Sequence, residues 1–250
     1  MATDFASEHG MTVRRIGDGP ELVWIHGLGE ASTCFDAVVA ALPGFRHVLP
    51  DLPGYGRSAW RPATGLDEQA SALAAWLGER PPAFVIGHSM GGVLATLIAE
   101  RAPVRGIVNI EGNLSPGDCT FSLRAAAWPK HDLARGLAEL RAWVFEQAIA
   151  QPALRGYHAA MAFASPEHFH RHALDLVAMS AREDLAPRVA ALAVPALYVA
   201  GVPDGICARS RELLDVHRVR WLALEPAGHW VYVDQPAPFT AAVARFVRAG

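Results

Sequence analysis

The sequence is short of the features that mark several protein classes, and each shortage narrows what the chain can be. Its three cysteines, Cys34, Cys119 and Cys207, are far apart, odd in number and form no C-x-x-C pair. A disulfide scaffold or zinc site is therefore not expected, and free thiols in a reducing compartment are. Charged residues make up only 19% of the 250, and the formal net charge is −3 with both signs interspersed. No phosphate-binding face follows from that, so nucleic acid is not an expected partner. No apolar stretch is long enough to span a bilayer. The first ten residues, from Met1 to Gly10, carry acidic residues and no apolar run, unlike a signal peptide. Internal repeats and low-complexity segments are absent. The expectation is a cytoplasmic chain with no membrane or nucleic-acid partner.

What is present is apolar residue content, 52% of the chain. A chain of this length buries about 70–75% of the surface its unfolded form exposes, enough for a sheet covered on both faces. The apolar segments alternate in type. Extended runs are expected near Met11–Arg15 and at Glu21–Ile25, His47–Pro50, Ala83–Ile86 and Gly106–Ile110. Helical spacing is expected from Ser32 to Leu42, from Leu66, and from Met90 to Arg101. Strands with continuous apolar runs alternating with helices imply a mostly parallel sheet. From Asn113 to Arg188 the pattern changes to Ala-, Leu-, Trp-, Phe- and His-rich stretches without strand runs, read as helices such as Asp132–Ala150 and Pro166–Arg182. Strand-like runs return at Ala196–Ala200 and Val219–Leu224, and a closing helix at Pro236–Ala249.

Gly87-His88-Ser89-Met90-Gly91 fits G-x-S-x-G and lies between an extended run and a helical one. Such a turn presents a hydroxyl at a sheet tip beside a helix N-terminus, and its glycines leave room where side chains would collide. A serine needs a base to accept its proton. His229, after the last extended run, is the candidate. The base in turn needs an acid to fix its tautomer. Asp204, after the run Ala196–Ala200, is the expected acid; Glu111, which also ends a strand, competes for the role. His26-Gly27-Leu28-Gly29 follows the first long strand, so the Leu28 and Met90 N–H groups are the expected oxyanion donors. The His26 side chain is read as a structural hydrogen-bonding group.

These segments, with Asp51-Leu52-Pro53-Gly54-Tyr55-Gly56-Arg57-Ser58, resemble the serine hydrolases of the α/β-hydrolase superfamily. The resemblance implies an α/β-hydrolase fold with helices on both sheet faces. It assigns residues 1–112 and 189–250 to the core and 113–188 to an inserted helical cap. It implies a cofactor-independent, metal-free esterase with catalytic Ser89, His229 and Asp204 (or Glu111). Thioester, amide or carbon–carbon bond hydrolysis would use the same groups, and a non-catalytic ligand-binding protein of this fold is a further alternative. The expected substrate is a small ester with an apolar group. Trp128, Trp143, Phe145, Met161, Phe163 and Met179 are candidates for lining its pocket or for core. His168, His170 and His172 are read as a solvated or cap-packing face rather than metal ligands. Oligomeric state has no signature in the sequence.

Overall fold

The computed structural model describes residues 3–250. Met1 and Ala2, the start of the segment expected not to be a signal peptide, lie outside the described residues. Eight strands form one sheet: β1 (Thr3–Glu8), β2 (Met11–Ile16), β3 (Glu21–Ile25), β4 (Arg46–Asp51), β5 (Phe84–His88), β6 (Gly106–Ile110), β7 (Ala196–Asp204) and β8 (Trp221–Gly228). Their order across the sheet is β1-β2-β4-β3-β5-β6-β7-β8. Pairing is antiparallel for β1–β2 and β2–β4 and parallel elsewhere.

The central strands β5 and β6 are buried at every residue, and β3 at every residue but Glu21. Successive strand side chains point to opposite faces, so uninterrupted burial means that helices cover both faces. The helices Leu66–Gly78 and Met90–Ala99 pack together, as do Asp36–Ala41 and the closing helix Pro236–Ala249. In Leu66–Gly78 the buried residues Leu66, Ala70, Leu73, Trp76 and Leu77 recur at helical spacing, which makes one face apolar. The Glu68 carboxylate accepts the Gly65 N–H at the helix start (3.0 Å). The edge strand β1 is mostly exposed and polar. Its Glu8 pairs with Arg15 and Arg80, charges that keep an open sheet edge soluble.

Between β6 and β7 the chain is helical: Thr120–Ala126, Leu133–Ala150, Ala153–Ala160, Pro166–Ser180 and Leu185–Ala190. Pro166–Ser180 starts with Ser165, whose hydroxyl accepts the His168 N–H, and with Pro166 in its first turn. No helix among the described residues is long and apolar enough to cross a membrane.

The parallel register brings five loops to one sheet edge. Ile25 pairs with Gly87, His88 with Ile110, Ile110 with Val199, and Asp204 with Gly228. The residues that follow these strand ends, His26 to Leu28, Ser89, Glu111 and His229, therefore emerge side by side.

Candidate active site

Ser89 stands between β5 and the helix Met90–Ala99 with φ 54° and ψ −117°, a left-handed conformation that side chains rarely adopt. The sharp turn depends on its flanking glycines. A Cβ on Gly87 would overlap the Gly91 carbonyl, and one on Gly91 would overlap the Ile25 carbonyl. The Ser89 N–H donates to the Ile110 carbonyl (2.8 Å), fixing the turn to β6. Buried Asn109 adds a second tie: its amide donates to the Gly92 carbonyl (3.0 Å) and its oxygen accepts the Gly112 N–H (2.9 Å). The nucleophile turn and the β6 tip are thus one hydrogen-bonded unit.

His229 follows β8 and keeps 21% of its side chain exposed, while Glu111 keeps 3%. His229 Nδ1–H donates to Glu111 Oε2 at 3.3 Å. Glu111 Oε1 accepts the Gly201 N–H at 2.6 Å, so both carboxylate oxygens are held. Burial raises the Glu111 pKa above the usual carboxylate value, and its bonds to His229 and Gly201 work against that rise. Asp204, expected behind the histidine, is exposed and takes no hydrogen bond from His229 among the described residues. The reason is local. The register of β7 against β8 shifts between Gly201 and Pro203, and the chain beyond Asp204 packs over Glu111, where a Cβ on Gly205 would come within 2.7 Å of Oε1. The acid in contact with His229 is therefore Glu111.

Leu28 is buried in the loop after β3, and Met90 is the first residue of its helix, where an N–H has no intrahelical acceptor. Neither N–H is used in a backbone hydrogen bond outside the helices and strands among the described residues. His26 is fully buried; its Nε2 accepts the Leu52 N–H (3.0 Å), and its Nδ1–H donates to the Gly27 carbonyl (2.9 Å). Burial holds its pKa down, in keeping with a neutral ring that both donates and accepts. Asp51 binds the neighbouring loops through the N–H groups of Ser32 (2.7 Å) and Arg57 (2.9 Å).

Ser89, His229 and Leu28 line one small cavity of about 20 Å³, room for about one water. Phe121 and Tyr157 from the helical segment and Trp230 from the loop after β8 wall it, with ring centroids 5.1–5.7 Å apart. Beyond Tyr157 and Trp230 lies a second cavity of about 380 Å³, bounded by Ala153, Ala159, Ala160, Phe163 and Val233. Of the apolar residues expected near a pocket, Phe163 lines this space. Trp128 stacks on Phe169, Trp143 meets Phe121 edge-on, Met161 and Met179 are buried, and Phe145 is exposed. His168, His170 and His172 each bond a separate partner, Ser165, Ala125 and Tyr55. No cluster of three His, Cys, Asp or Glu side chains suited to a metal occurs among the described residues.

Two buried groups at this edge, Glu30 and His88, lie outside the sequence expectations. The signal for Glu30 is a lone carboxylate in the otherwise small and apolar run Leu28-Gly29-Glu30-Ala31, a place where an acid must find partners.

Comparison with known proteins places this arrangement. A family model described as "Alpha/beta hydrolase family" matches residues 22–242. The chain is 31% identical to the pimeloyl-[acyl-carrier protein] methyl ester esterase of Pectobacterium carotovorum, over 92% of this chain and 94% of that protein. It is 30% identical to the magnesium-chelatase 30 kDa subunit of Rhodobacter capsulatus, over 86% of this chain and 82% of that protein. The crystal structure of the enol-lactonase from Burkholderia xenovorans superposes with a TM-score of 0.77 at 21% identity, over 98% of this chain and 100% of that one, a likeness of fold. A family match running from β3 into the closing helix, on a sheet of this order, makes the chain a member of the alpha/beta hydrolase family.

Proposed function

We propose that this protein is a cofactor-independent serine hydrolase of carboxylic esters that works through Ser89, His229 and Glu111. The observation that carries the reading is the hydrogen bond from His229 Nδ1 to Glu111 beside Ser89 at a strained strand–helix turn. Esterases among the relatives support the substrate class.

In this mechanism Ser89 Oγ attacks the acyl carbon while His229 Nε2 takes its proton. Glu111 holds His229 in the tautomer with Nδ1 protonated and stabilises the imidazolium as it forms. The carbonyl oxygen becomes an oxyanion facing the Leu28 and Met90 N–H groups, each worth about 10²–10³ in turnover by analogy with similar donors. His229 returns the proton to the leaving alcohol. It then activates a water that cleaves the acyl-enzyme and restores Ser89.

The helical segment 113–188 serves as a cap, and the cavity of about 380 Å³ beneath it holds an apolar acyl or alcohol group. Its walls are mainly apolar, with Glu30, Thr33 and Arg57 also at its border, and fit such a group. The Ser89 cavity, at about 20 Å³, is too small for an acyl group. The aromatic wall of Phe121, Tyr157 and Trp230 therefore shifts on binding.

Burst kinetics with an activated aryl ester test the reading, alongside covalent labelling by a fluorophosphonate. The expected result is a burst and a labelled serine in the wild type, both abolished in Ser89→Ala. Undiminished turnover in Ser89→Ala would refute the mechanism. A wild type that neither labels nor turns over esters would point instead to a ligand-binding role.

A further inference from the structure

Glu30 is only 2% exposed, and the reaction proposed above does not employ it. A buried carboxylate is costly unless its lone pairs are used. Here they are. Oε2 accepts the Gly27 N–H (2.6 Å) and His88 Nδ1–H (2.9 Å), while Oε1 accepts Trp230 Nε1–H (2.8 Å) and the Tyr232 hydroxyl (3.1 Å). His88 extends the chain of bonds, because its Nε2–H donates to the His229 carbonyl at 3.0 Å. An imidazole that donates from both nitrogens is a cation. Burial pulls the His88 pKa down, but the Glu30 charge and hydrogen bond hold it above the ordinary histidine value. Burial likewise pushes Glu30 up, and His88 with the other donors brings it down to about 2.

The four donors come from three stretches of chain at the site. Gly27 precedes Leu28, and His88 precedes Ser89. Trp230 follows His229, and Tyr232 lies in the short helix Val231–Asp234. The packing leaves little freedom, since a Cβ on Gly27 would come within 2.7 Å of Glu30 Oε2 and 3.2 Å of Ser89 Cβ. A buried ion pair adds little net stability compared with apolar packing. What this pair provides is a common anchor for three loops whose relative placement must hold to about 0.5 Å for acyl transfer.

We propose that Glu30, acting through His88, is a positioning residue that sets the oxyanion loop and the His229 loop in register with Ser89. The proposal rests on the serine-hydrolase reading above. Its effect is expected chiefly on kcat, because Gly27, His88 and Trp230 adjoin Leu28, Ser89 and His229, the groups that act on the reacting atoms.

Glu30→Gln preserves the side-chain shape but removes the charge and turns an amide N–H₂ toward at least one of the donors. The expected result is a burst rate constant and kcat lower by about tenfold or more, with KM within about twofold, as misplacement of reacting groups produces. Wild-type kcat, or a raised KM at unchanged kcat, would overturn the proposal. Tyr232→Phe removes one of the four donors with little change in volume. Its kcat is expected to fall about two- to fivefold at constant KM, the size of one hydrogen bond. If Glu30→Gln does not fold, Tyr232→Phe decides, and wild-type kcat there overturns the role of Glu30. Ser89→Ala in the same assay separates the two ideas. A dead Ser89→Ala beside an unaltered Glu30→Gln removes only the positioning role; an active Ser89→Ala removes the serine reading.

Discussion

Glu111 has a φ of 53°, a conformation that costs a non-glycine residue of order 1–3 kcal/mol and persists only where surrounding structure imposes it. Ser89, which it would serve through His229 in the proposed mechanism, has nearly the same strain at 54°. The two lie at the tips of neighbouring strands and are tied by the Ser89 N–H to Ile110 bond. Removing the Glu111 charge by Glu111→Gln is expected to lower kcat by about 10⁴, the loss found when a triad acid is replaced by its amide. Asp204→Asn is expected to stay within about twofold of wild type, since its side chain is exposed. Steady-state kinetics of both variants check this pair, and a collapse confined to Asp204→Asn would reverse the assignment. The positions of Ser89 and His229 at the sheet edge were legible in the sequence because their flanking glycines and strand runs define turns of known shape. The acid was not, because two strand tips each carry one. Which of them faces inward depends on the β7 irregularity, which leaves no mark in residue pattern. Glu30 escaped for a related reason: a single carboxylate in a turn looks like a surface residue until His88, Trp230 and Tyr232, all distant in sequence, come together around it.

The helix Pro166–Ser180 shows what an element contributes. His172 on this helix is fully buried, and its Nδ1 meets the Tyr55 hydroxyl at 2.8 Å, joining the inserted segment to the loop after β4. Burial, reinforced by His168, drives the His172 pKa from 6.5 to about 3. His172 therefore stays neutral in the folded chain while the unfolded chain takes up its proton below about pH 6.5. A depressed folded pKa means stability is fully present above pH 6.5 and is lost as pH falls from there toward 3, by up to about 1.4 kcal/mol per unit. His26, His47 and His168 are also lowered by burial and add to the same acid loss. The His88 contribution has the opposite sign, since its raised pKa gives stability that fades only as pH rises through the folded value. Urea unfolding of the wild type between pH 7 and pH 5 is expected to show falling stability, and His172→Gln a shallower fall. Equal slopes would show that the buried ring does not govern the acid response. The long helices of this segment were readable from their periodicity: Leu133–Ala150 and Pro166–Ser180 end within two residues of the expected bounds. The short ones, Thr120–Ala126 and Leu185–Ala190, span too few turns to display a face. Strand β1 was missed because its exposed, polar residues show no apolar run.

Across the whole molecule, the sheet edge and the inserted helices enclose the space of about 380 Å³ beside the site. Ala160 lines it, so Ala160→Trp is expected to reduce kcat/KM for long-chain aryl esters by about tenfold or more while leaving acetyl esters nearly unchanged. A lost pocket costs the binding of about one to three methylenes, each worth about 0.8 kcal/mol. A uniform loss across chain lengths would place the acyl or alcohol group elsewhere. The α/β architecture was legible because continuous apolar strands demand cover on both faces. The position of the cavity was not, since it arises between segments remote in sequence.

The place of Glu111 just after β6 also orders the proposed chemistry along the chain. Ser89 and Glu111 both precede the helical insertion, on adjacent parallel strands, and His229 comes after it. Cutting the chain within the insertion would leave Ser89 and Glu111 on one fragment and His229 on the other. For the two halves to meet productively, β6 must rejoin β7 through the pairing that runs from Ile107 with Ala196 to Ile110 with Val199. Hydrolysis by the mixed fragments would then count reassembled molecules, making the enzyme its own split reporter.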